Sequence, residues 1–202
     1  MKGSLIILGF FIAGIFLGLR SWLPGIIVRH DPSIYALYLL IFFVGAGIGG
    51  DKNLIQILRS ISLKYLLVPL SVILGSFIGV AAYLFFFPKE KVIESFAVGA
   101  GFGYYSLSSI MISQLSGKAF GIIALLSNIS REIFTLLFTP LLAKYFGNLA
   151  PIVSGGATSM DTTLPVIVKY SGKEYAFVSV FSGIVLTILV PILISLLYSI
   201  GS

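Results

Sequence analysis

The chain has 202 residues, of which 58% are hydrophobic and 10% are charged, and its mean hydropathy is +1.10. A soluble domain carries about 25% charged residues, so this composition excludes one and indicates an integral membrane protein. The net charge of +6 is spread over short loops and does not favour nucleic-acid binding. Cysteine is absent, which excludes disulfides, thiol catalysis and cysteine metal sites.

Apolar stretches long enough to cross a bilayer recur along the whole chain. At about 20 residues per helical span, they predict seven crossings. The predicted spans are residues 4–22, 33–48, 65–87, 94–116, 120–144, 150–170 and 175–198. We therefore predict an all-α membrane protein with one transporter domain over residues 1–202. Residues 1–64 form two N-terminal spans, and residues 65–202 form a five-span core.

Two of the predicted spans contain residues that interrupt helices. The breakers near 94–116 and near 150–170 are Gly99, Gly101, Gly103, Gly155, Gly156 and Pro165. Transporters build binding sites near the middle of the bilayer from such interrupted helices. The pattern predicts two interrupted helices in the core.

The same two regions are related by a shift of 55 residues. The shift places Ser116-Gly117-Lys118 on Ser171-Gly172-Lys173 and Gly101 on Gly156. A true repeat predicts that the two interrupted helices lie close together, and the two crossings counted between the copies make them parallel. Chance similarity is the alternative, because glycine and serine are common in membrane helices.

The fifth predicted span carries ionisable side chains at its midpoint, Arg131 and Glu132. Each costs roughly 2.5–3.5 kcal/mol at that depth, so such residues usually face a protein-lined or wet interior. Asn128 lies four residues before Glu132 and shares its helical face. Arg131 points about 100° away, so we expect it to meet Asp161 or a substrate carboxylate. The alternative is a structural ion-pair network.

The sixth span contains an acidic residue, Asp161, between Thr158 and Thr162, where the helix should break. A carboxylate and hydroxyls at a helix break can bind a cation or a polar substrate. Asp161 could instead cap the helix that follows, and capping is compatible with binding.

The fourth span is rich in hydroxyl groups that do not lie at a membrane interface. Tyr104, Tyr105, Ser106 and Ser108 fall inside the span. We predict that they line a pocket in which the tyrosine rings contact an ammonium group. Helix packing is the alternative for the surrounding glycines.

Catalysis finds no support in the residues. The one histidine, His30, lies in a predicted loop, far from the serine-rich span. No nucleophile and base can be paired, and the ligands for a metal site are too few. We predict a protein that is not an enzyme and needs no metal or cofactor.

Three blocks of sequence resemble the LysO-type lysine exporter family of bacterial and archaeal inner-membrane proteins. They are VGAGFGYYSLSSIMI from Val98, SNISREIFTLLFTPLL from Ser127 and GGATSMDTTLPVI from Gly155. The resemblance implies a multi-pass protein of the cell inner membrane that exports L-lysine and its analogues. It places the family's intramembrane glutamate on Glu132 and its aspartate on Asp161.

These expectations define a secondary transporter, with export coupled to antiport of a proton or sodium ion. Glu132 and Asp161 would bind the ε-ammonium and the coupling ion, and Arg131 with half-helix N-termini would receive the α-carboxylate. Longer family members carry further N-terminal spans, so we expect a separate small N-terminal subunit or a homo-oligomer. Asp51 is a candidate substitute for an acid of those spans, and the favoured alternative is an exposed loop carboxylate beside Lys52. The alternative function is a cation channel or an accessory subunit of a larger complex.

Overall fold

The computed structural model describes residues 63–201 together with Ala13 and Phe16. All regular structure in the described part is helical, which confirms the predicted all-α class. Seven α-helices and two short 3₁₀ segments follow in order. The helices are α1 (Leu63–Phe86), α2 (Val92–Gly99), α3 (Tyr105–Ser116), α4 (Lys118–Phe146), α5 (Ala150–Gly155), α6 (Leu164–Ser171) and α7 (Ala176–Gly201). The 3₁₀ segments are Gly156–Met160 and Lys173–Tyr175.

Three stretches in the described part are long and apolar enough to cross a membrane. They are Tyr65–Phe86, Lys118–Phe146 and Lys173–Gly201, which correspond to α1, α4 and α7. The predicted spans 65–87, 120–144 and 175–198 are confirmed as long apolar helices, and both predicted interruptions are confirmed. The predicted spans 4–22 and 33–48 and the candidate Asp51 lie outside the described residues.

The predicted fourth span does not cross; it forms a hairpin of α2 and α3. The hydroxyl of Ser116 donates a hydrogen bond of 3.4 Å to Oε1 of Glu94. These residues would lie about 33 Å apart on one straight helix. The chain therefore enters from one end of the molecule, turns at Gly101-Phe102-Gly103 and returns to the same end. We call this the first hairpin.

The predicted sixth span, α5 to α6, behaves in the same way from the opposite end. Asn148, just before α5, donates a 3.4 Å hydrogen bond to the hydroxyl of Tyr175, just after α6. A cluster of Val68, Ile152, Ile167 and Val178 packs around this base. We call this the second hairpin. Its tip is the 3₁₀ segment Gly156–Met160 with the residues that follow it.

The hairpins correct the predicted relation between the two copies of the repeat. Each hairpin returns to the end that it left, so one crossing separates the copies, and they are inverted rather than parallel. Residues 63–117 form the first unit and residues 118–172 the second. Equivalent contacts hold each: Val80 lies against Gly99 in the first, and Thr135 bonds Ser154 in the second.

The predicted proximity of the two interruptions is confirmed at the tips. The backbone N–H of Ala157 donates a 2.8 Å hydrogen bond to the carbonyl of Phe102. The side chains of Arg131 and Ser76 also bond at 2.8 Å. Each of these pairs is 55 residues apart, and equivalent residues touch only near the axis that relates two units. The pseudo-twofold axis therefore passes between the hairpin tips, halfway along the crossing helices.

Candidate functional site

A cavity of about 200 Å³ opens where the two hairpin tips meet. We call it the central cavity. It is lined by Gly103, Tyr104, Tyr105, Ser106, Ala157, Thr158, Met160, Asp161 and Thr162. Six of the ten predicted site residues are in this set: Tyr104, Tyr105, Ser106, Thr158, Asp161 and Thr162. The two interruptions thus bring together residues that lie more than 50 positions apart in the sequence.

The central cavity is acidic. Asp161 is exposed, and its Oδ1 accepts hydrogen bonds from the backbone N–H of Thr162 at 2.5 Å and from that residue's hydroxyl at 3.3 Å. No lysine or arginine is among the residues that line the cavity. Its one lining carboxylate therefore sets the sign of its field, and a cation is the favoured occupant.

Asp161 does not cap the helix that follows it, α6. The N-cap of α6 is Thr163, and it makes no side-chain capping bond. The Asp161 carboxylate bonds its immediate neighbour Thr162 instead of the first turn of α6. Its charge is left facing the cavity.

Glu132 lies close to the central cavity but does not line it. Its side chain is 2% exposed, on the buried face of α4 that also carries Asn128, Thr135 and Thr139. The carboxylates of Glu132 and Asp161 are within electrostatic range of each other, and Tyr105 is within range of both. The two acids singled out from the sequence are therefore near each other, with Asp161 lining the cavity and Glu132 buried on α4.

Arg131 occupies a different place from the one expected. Its guanidinium donates to the carbonyls of Ser154 at 2.8 Å and Val153 at 3.2 Å, and to the hydroxyl of Ser76 at 2.8 Å. In the described part of the chain, no ion pair joins it to Asp161. A cation at the C-terminal carbonyls of a helix is stabilising, so Arg131 fastens the end of α5 to α4 and α1.

Asn128 and Ser108 support the tip of the first hairpin. The amide oxygen of Asn128 accepts a 2.7 Å bond from the backbone N–H of Gly103, and its amide nitrogen donates to the carbonyl of Ala124 at 2.8 Å. Ser108 is fully buried and donates to the carbonyl of Tyr104 at 2.9 Å. Both side chains position the tip rather than face the cavity.

A second, larger space lies beside the first hairpin. It has a volume of about 580 Å³, and its walls come from α1, α2 and α4, with Asn128, Arg131 and Ser154 at one end. Three of Arg131's five N–H groups are engaged in the bonds to Ser76, Val153 and Ser154. The central cavity is the better candidate because it is the one lined by Asp161.

Sequence reasoning missed Ala157 and Met160 as lining residues and Ser76 as a partner of Arg131. Ala157 and Met160 lie inside the GGATSMD block, so extending the site over the whole interruption would have found them. The 55-residue shift places Ser76 on Arg131, but only the inverted arrangement makes equivalent residues meet.

The chain is similar to known proteins over most of its length. A sequence model of the family described as "Lysine exporter LysO" matches residues 8–198. A Haemophilus influenzae protein named "Putative lysine exporter" is 33% identical over 186 residues, covering 91% of this chain and 92% of the relative. The Escherichia coli protein named "Lysine exporter LysO" is 32% identical over 196 residues, covering 95% of this chain and 63% of the relative. No solved structure matches the chain.

Proposed function

Because the chain belongs to the lysine exporter LysO family, we propose that it exports L-lysine and lysine analogues from the cytoplasm as a secondary transporter. The observation that carries the proposal is the acidic central cavity at the meeting point of two inverted hairpins. Secondary transporters place substrate and coupling-ion sites at such a position.

The ammonium groups of lysine fit the chemistry of the lining residues. Asp161 supplies a negative charge to one ammonium group, and the hydroxyls of Ser106, Thr158 and Thr162 supply acceptors. The ring of Tyr104 gives an adjacent aromatic face for a cation–π contact. A neutral amino acid would leave the Asp161 charge unpaired at this depth, which disfavours it.

The α-carboxylate of lysine fits the N-terminus of α3. Tyr105 is the first residue of this 12-residue helix, and the helix begins at the cavity wall. The N–H groups of a first helical turn, together with the helix dipole, bind anions. This assignment replaces Arg131, whose guanidinium is engaged by α5.

Glu132 is the second carboxyl group that takes part. Its burial beside the cavity makes it the candidate to exchange a proton or to balance a second cation as lysine leaves. Antiport of a proton or sodium ion then follows if lysine and the coupling ion compete for the field of Glu132 and Asp161.

The inverted repeat supplies a route to alternating access. The hairpins enter from opposite ends and meet at the cavity, so opening one tip connects the cavity with one side and opening the other connects it with the opposite side. Each tip is short and not part of a long helix, which allows it to rearrange while α1, α4 and α7 stay in place.

The test is exchange by purified protein in liposomes loaded with lysine. We expect saturable uptake of labelled lysine that is accelerated by unlabelled lysine on the other side. Glu132→Gln should reduce this exchange by about tenfold or more, since bonds to charged groups are the strong ones. Ser95→Ala, on the half-buried face of α2, is the matched control and should exchange normally.

Three outcomes would count against the proposal. A folded Glu132→Gln protein with normal exchange would remove the glutamate from the mechanism. Flux that fails to saturate would indicate a channel instead of a carrier. Liposomes that become active only when a further membrane subunit is added would indicate an accessory subunit.

A further inference from the structure

The 3₁₀ segment at the tip of the second hairpin lies directly against the crossing helix α7. The hydroxyl of Ser159 lies within hydrogen-bond distance of two carbonyls, that of Gly156 at 2.7 Å and that of Ser179 on α7 at 3.0 Å, and its single proton is shared between them. A Cβ at Gly183 would meet Met160 and would come within 2.9 Å of the carbonyl oxygen of Ala157. The unwound backbone and α7 are therefore in van der Waals contact here.

Two hydroxyls on this part of α7 are buried without a hydrogen bond. The Oγ atoms of Ser179 and Ser182 have no partner in the part of the chain that the structure describes, and both residues are 0% exposed. Other hydroxyls on the helices donate to the carbonyl four residues earlier, as the residues Ser71, Ser95, Ser108, Thr135 and Thr139 do. Ser179 and Ser182 do not make this bond in the described part of the chain, although leaving a buried hydroxyl unbonded costs stability.

Ser179 and Ser182 lie on the face of α7 that is turned toward the unwound segment. Ser179, Ser182 and Gly183 occupy positions i, i+3 and i+4 of α7, which lie on one helical face. Gly183 is the residue in close contact with Ala157 and Met160, so that face is turned toward the segment Gly156–Met160. This face therefore places two serines opposite backbone that is not part of a regular α-helix.

We propose that this seam between Gly156–Met160 and α7 binds a sodium ion. Hydroxyl and carbonyl oxygens are the ligands that hard cations take, and carbonyls of unwound membrane helices coordinate sodium in transporters. The seam carries no carboxylate, since its facing residues are Ala157, Ser159, Met160, Ser179 and Ser182, so it suits a singly charged ion better than a divalent one. In the described residues no group of three acidic or histidine ligands offers a divalent site.

Sodium at this seam would act on the central cavity through a shared segment. Thr158 and Asp161 line the cavity, while Ser159, between them, bonds α7. An ion that holds the segment against α7 also sets the position of Asp161. This coupling step rests on the proposed function and makes sodium, not the proton, the coupling ion; the binding step does not depend on it.

Binding is tested on the purified protein by thermal unfolding in sodium chloride, potassium chloride and choline chloride at equal ionic strength. We expect sodium to raise the Tm in a saturable manner and choline to have no effect. In Ser179→Ala and Ser182→Ala, the sodium concentration for half of the effect should rise about tenfold. Ser182→Thr keeps the oxygen and should retain the response.

The matched control is Ser195→Ala, an exposed serine on the same helix, which should respond to sodium as the unsubstituted protein does. The titration of the unsubstituted protein decides the matter even where a variant does not fold. A Tm that is the same in sodium and choline would overturn the proposal, and so would equal stabilisation by potassium.

Liposomes separate this inference from the proposed function. Lysine exchange that depends on sodium, and loses that dependence in Ser179→Ala, supports both. Lysine exchange that proceeds equally in choline overturns the coupling step and leaves lysine export intact. Sodium-dependent stabilisation without any lysine exchange supports the site and overturns the transport assignment.

Discussion

The two hairpins are closed by different bonds at their bases, Ser116 to Glu94 in the first and Asn148 to Tyr175 in the second, and the second hairpin has the longer unwound tip. Glu94 joins the two legs of the first hairpin through Ser116, and it forms an ion pair of 3.3 Å with Lys91. In the second hairpin the equivalent serine, Ser171, is buried, and its hydroxyl has no partner among the described residues. The two units therefore follow the same path with different side chains at their bases.

The two tips also differ, both in the length of the unwound segment and in the side chains that bond it. The turn of the first hairpin is short, and the Asn128 amide holds its Gly103 N–H. The second hairpin is unwound over Gly156–Met160 and continues through Asp161 before α6 begins. Arg131 fastens only the entering leg, at the end of α5. The comparison indicates that the return leg of the second hairpin, which carries Asp161, is the part of the site that can move.

The largest expected effect comes from locking that return leg. The hydroxyls of Thr158 and Thr163 lie 3.5 Å apart on either side of Asp161, so cysteines placed there are close enough to be joined. The chain has no native cysteine to interfere. In Thr158→Cys/Thr163→Cys, oxidation should abolish lysine exchange in liposomes, and reduction should restore it, because Asp161 cannot reposition while the loop is closed.

The matched controls are the single variants Thr158→Cys and Thr163→Cys. Each carries only one cysteine in a chain that has no other, so no disulfide can form within it. Both should exchange lysine at the same rate in oxidant and in reductant, which separates the lock from the substitutions. A Thr158→Cys/Thr163→Cys protein that exchanges lysine equally well when oxidised and when reduced would contradict the assignment of the moving part.

The next effect compares two equivalent residues of the central cavity, Asp161 and Ser106, which lie 55 positions apart. Asp161→Asn should lower lysine exchange by about 10–100-fold, since a bond to a charged group contributes roughly 1.5–3 kcal/mol. Ser106→Ala removes a neutral group and should lower exchange by less than about tenfold. Exchange measured at saturating lysine distinguishes weaker binding from slower turnover.

Equal losses in the two variants would contradict the view that the cavity binds a cation through one acid. Normal lysine exchange in Asp161→Asn, together with reduced exchange in Ser106→Ala, would indicate that the main substrate contact lies on the first hairpin. Either result would leave the fold unaffected, and Tm values of the purified variants serve as the check on folding.

The interruptions and their cavity residues could be predicted from the sequence because the breakers are local. Gly155, Gly156 and Pro165 disfavour a continuous helix wherever they lie, and Asp161 among hydroxyls is costly inside an apolar span. The local sequence is therefore enough to predict six of the residues that line the central cavity. The 55-residue shift was also visible, since it depends only on residue identity.

The hairpins could not be predicted, because hydropathy does not record where a chain turns back. Residues 94–116 are long and apolar enough to read as one span, but α2 and α3 have 8 and 12 residues, and each is too short to cross. The contact between Glu94 and Ser116 settles the path, and it is tertiary. The role of Arg131 was hidden for a related reason: two of its three partners are backbone carbonyls, which carry no sequence signal.

A third comparison concerns the equivalent glycines at the two tips, Gly156 and Gly101. Gly156 has a φ of 61°, and a Cβ there would strike the carbonyl of Phe102, across the contact that joins the tips. Gly156→Ala should therefore destabilise the protein by more than about 2 kcal/mol, because a left-handed backbone and a clash add together. Thermal unfolding of the purified variant, with residual lysine exchange, measures both consequences.

Gly101→Ala is the matched variant. A Cβ there would approach the amide nitrogen of Asn128 at 2.5 Å and the hydroxyl of Ser108 at 2.8 Å, and both are side-chain atoms. Side chains can shift where the carbonyl of Phe102 cannot, so Gly101→Ala should lower the Tm less than Gly156→Ala does. The opposite order would mean that the first tip, not the contact between the tips, limits stability.

The smallest expected effect tests the bases of the hairpins directly. Ser116→Ala removes the bond to Glu94 and should cost about 0.5–1.5 kcal/mol in the free energy of unfolding. Ser171→Ala removes a buried hydroxyl that has no partner in the described part of the chain, so it should be neutral or slightly stabilising. Thermal unfolding of the two variants side by side measures the difference. If both variants lower the Tm equally, then the hydroxyl of Ser171 contributes as much stability as that of Ser116. In that case the return leg of the second hairpin is no longer expected to be the moving part.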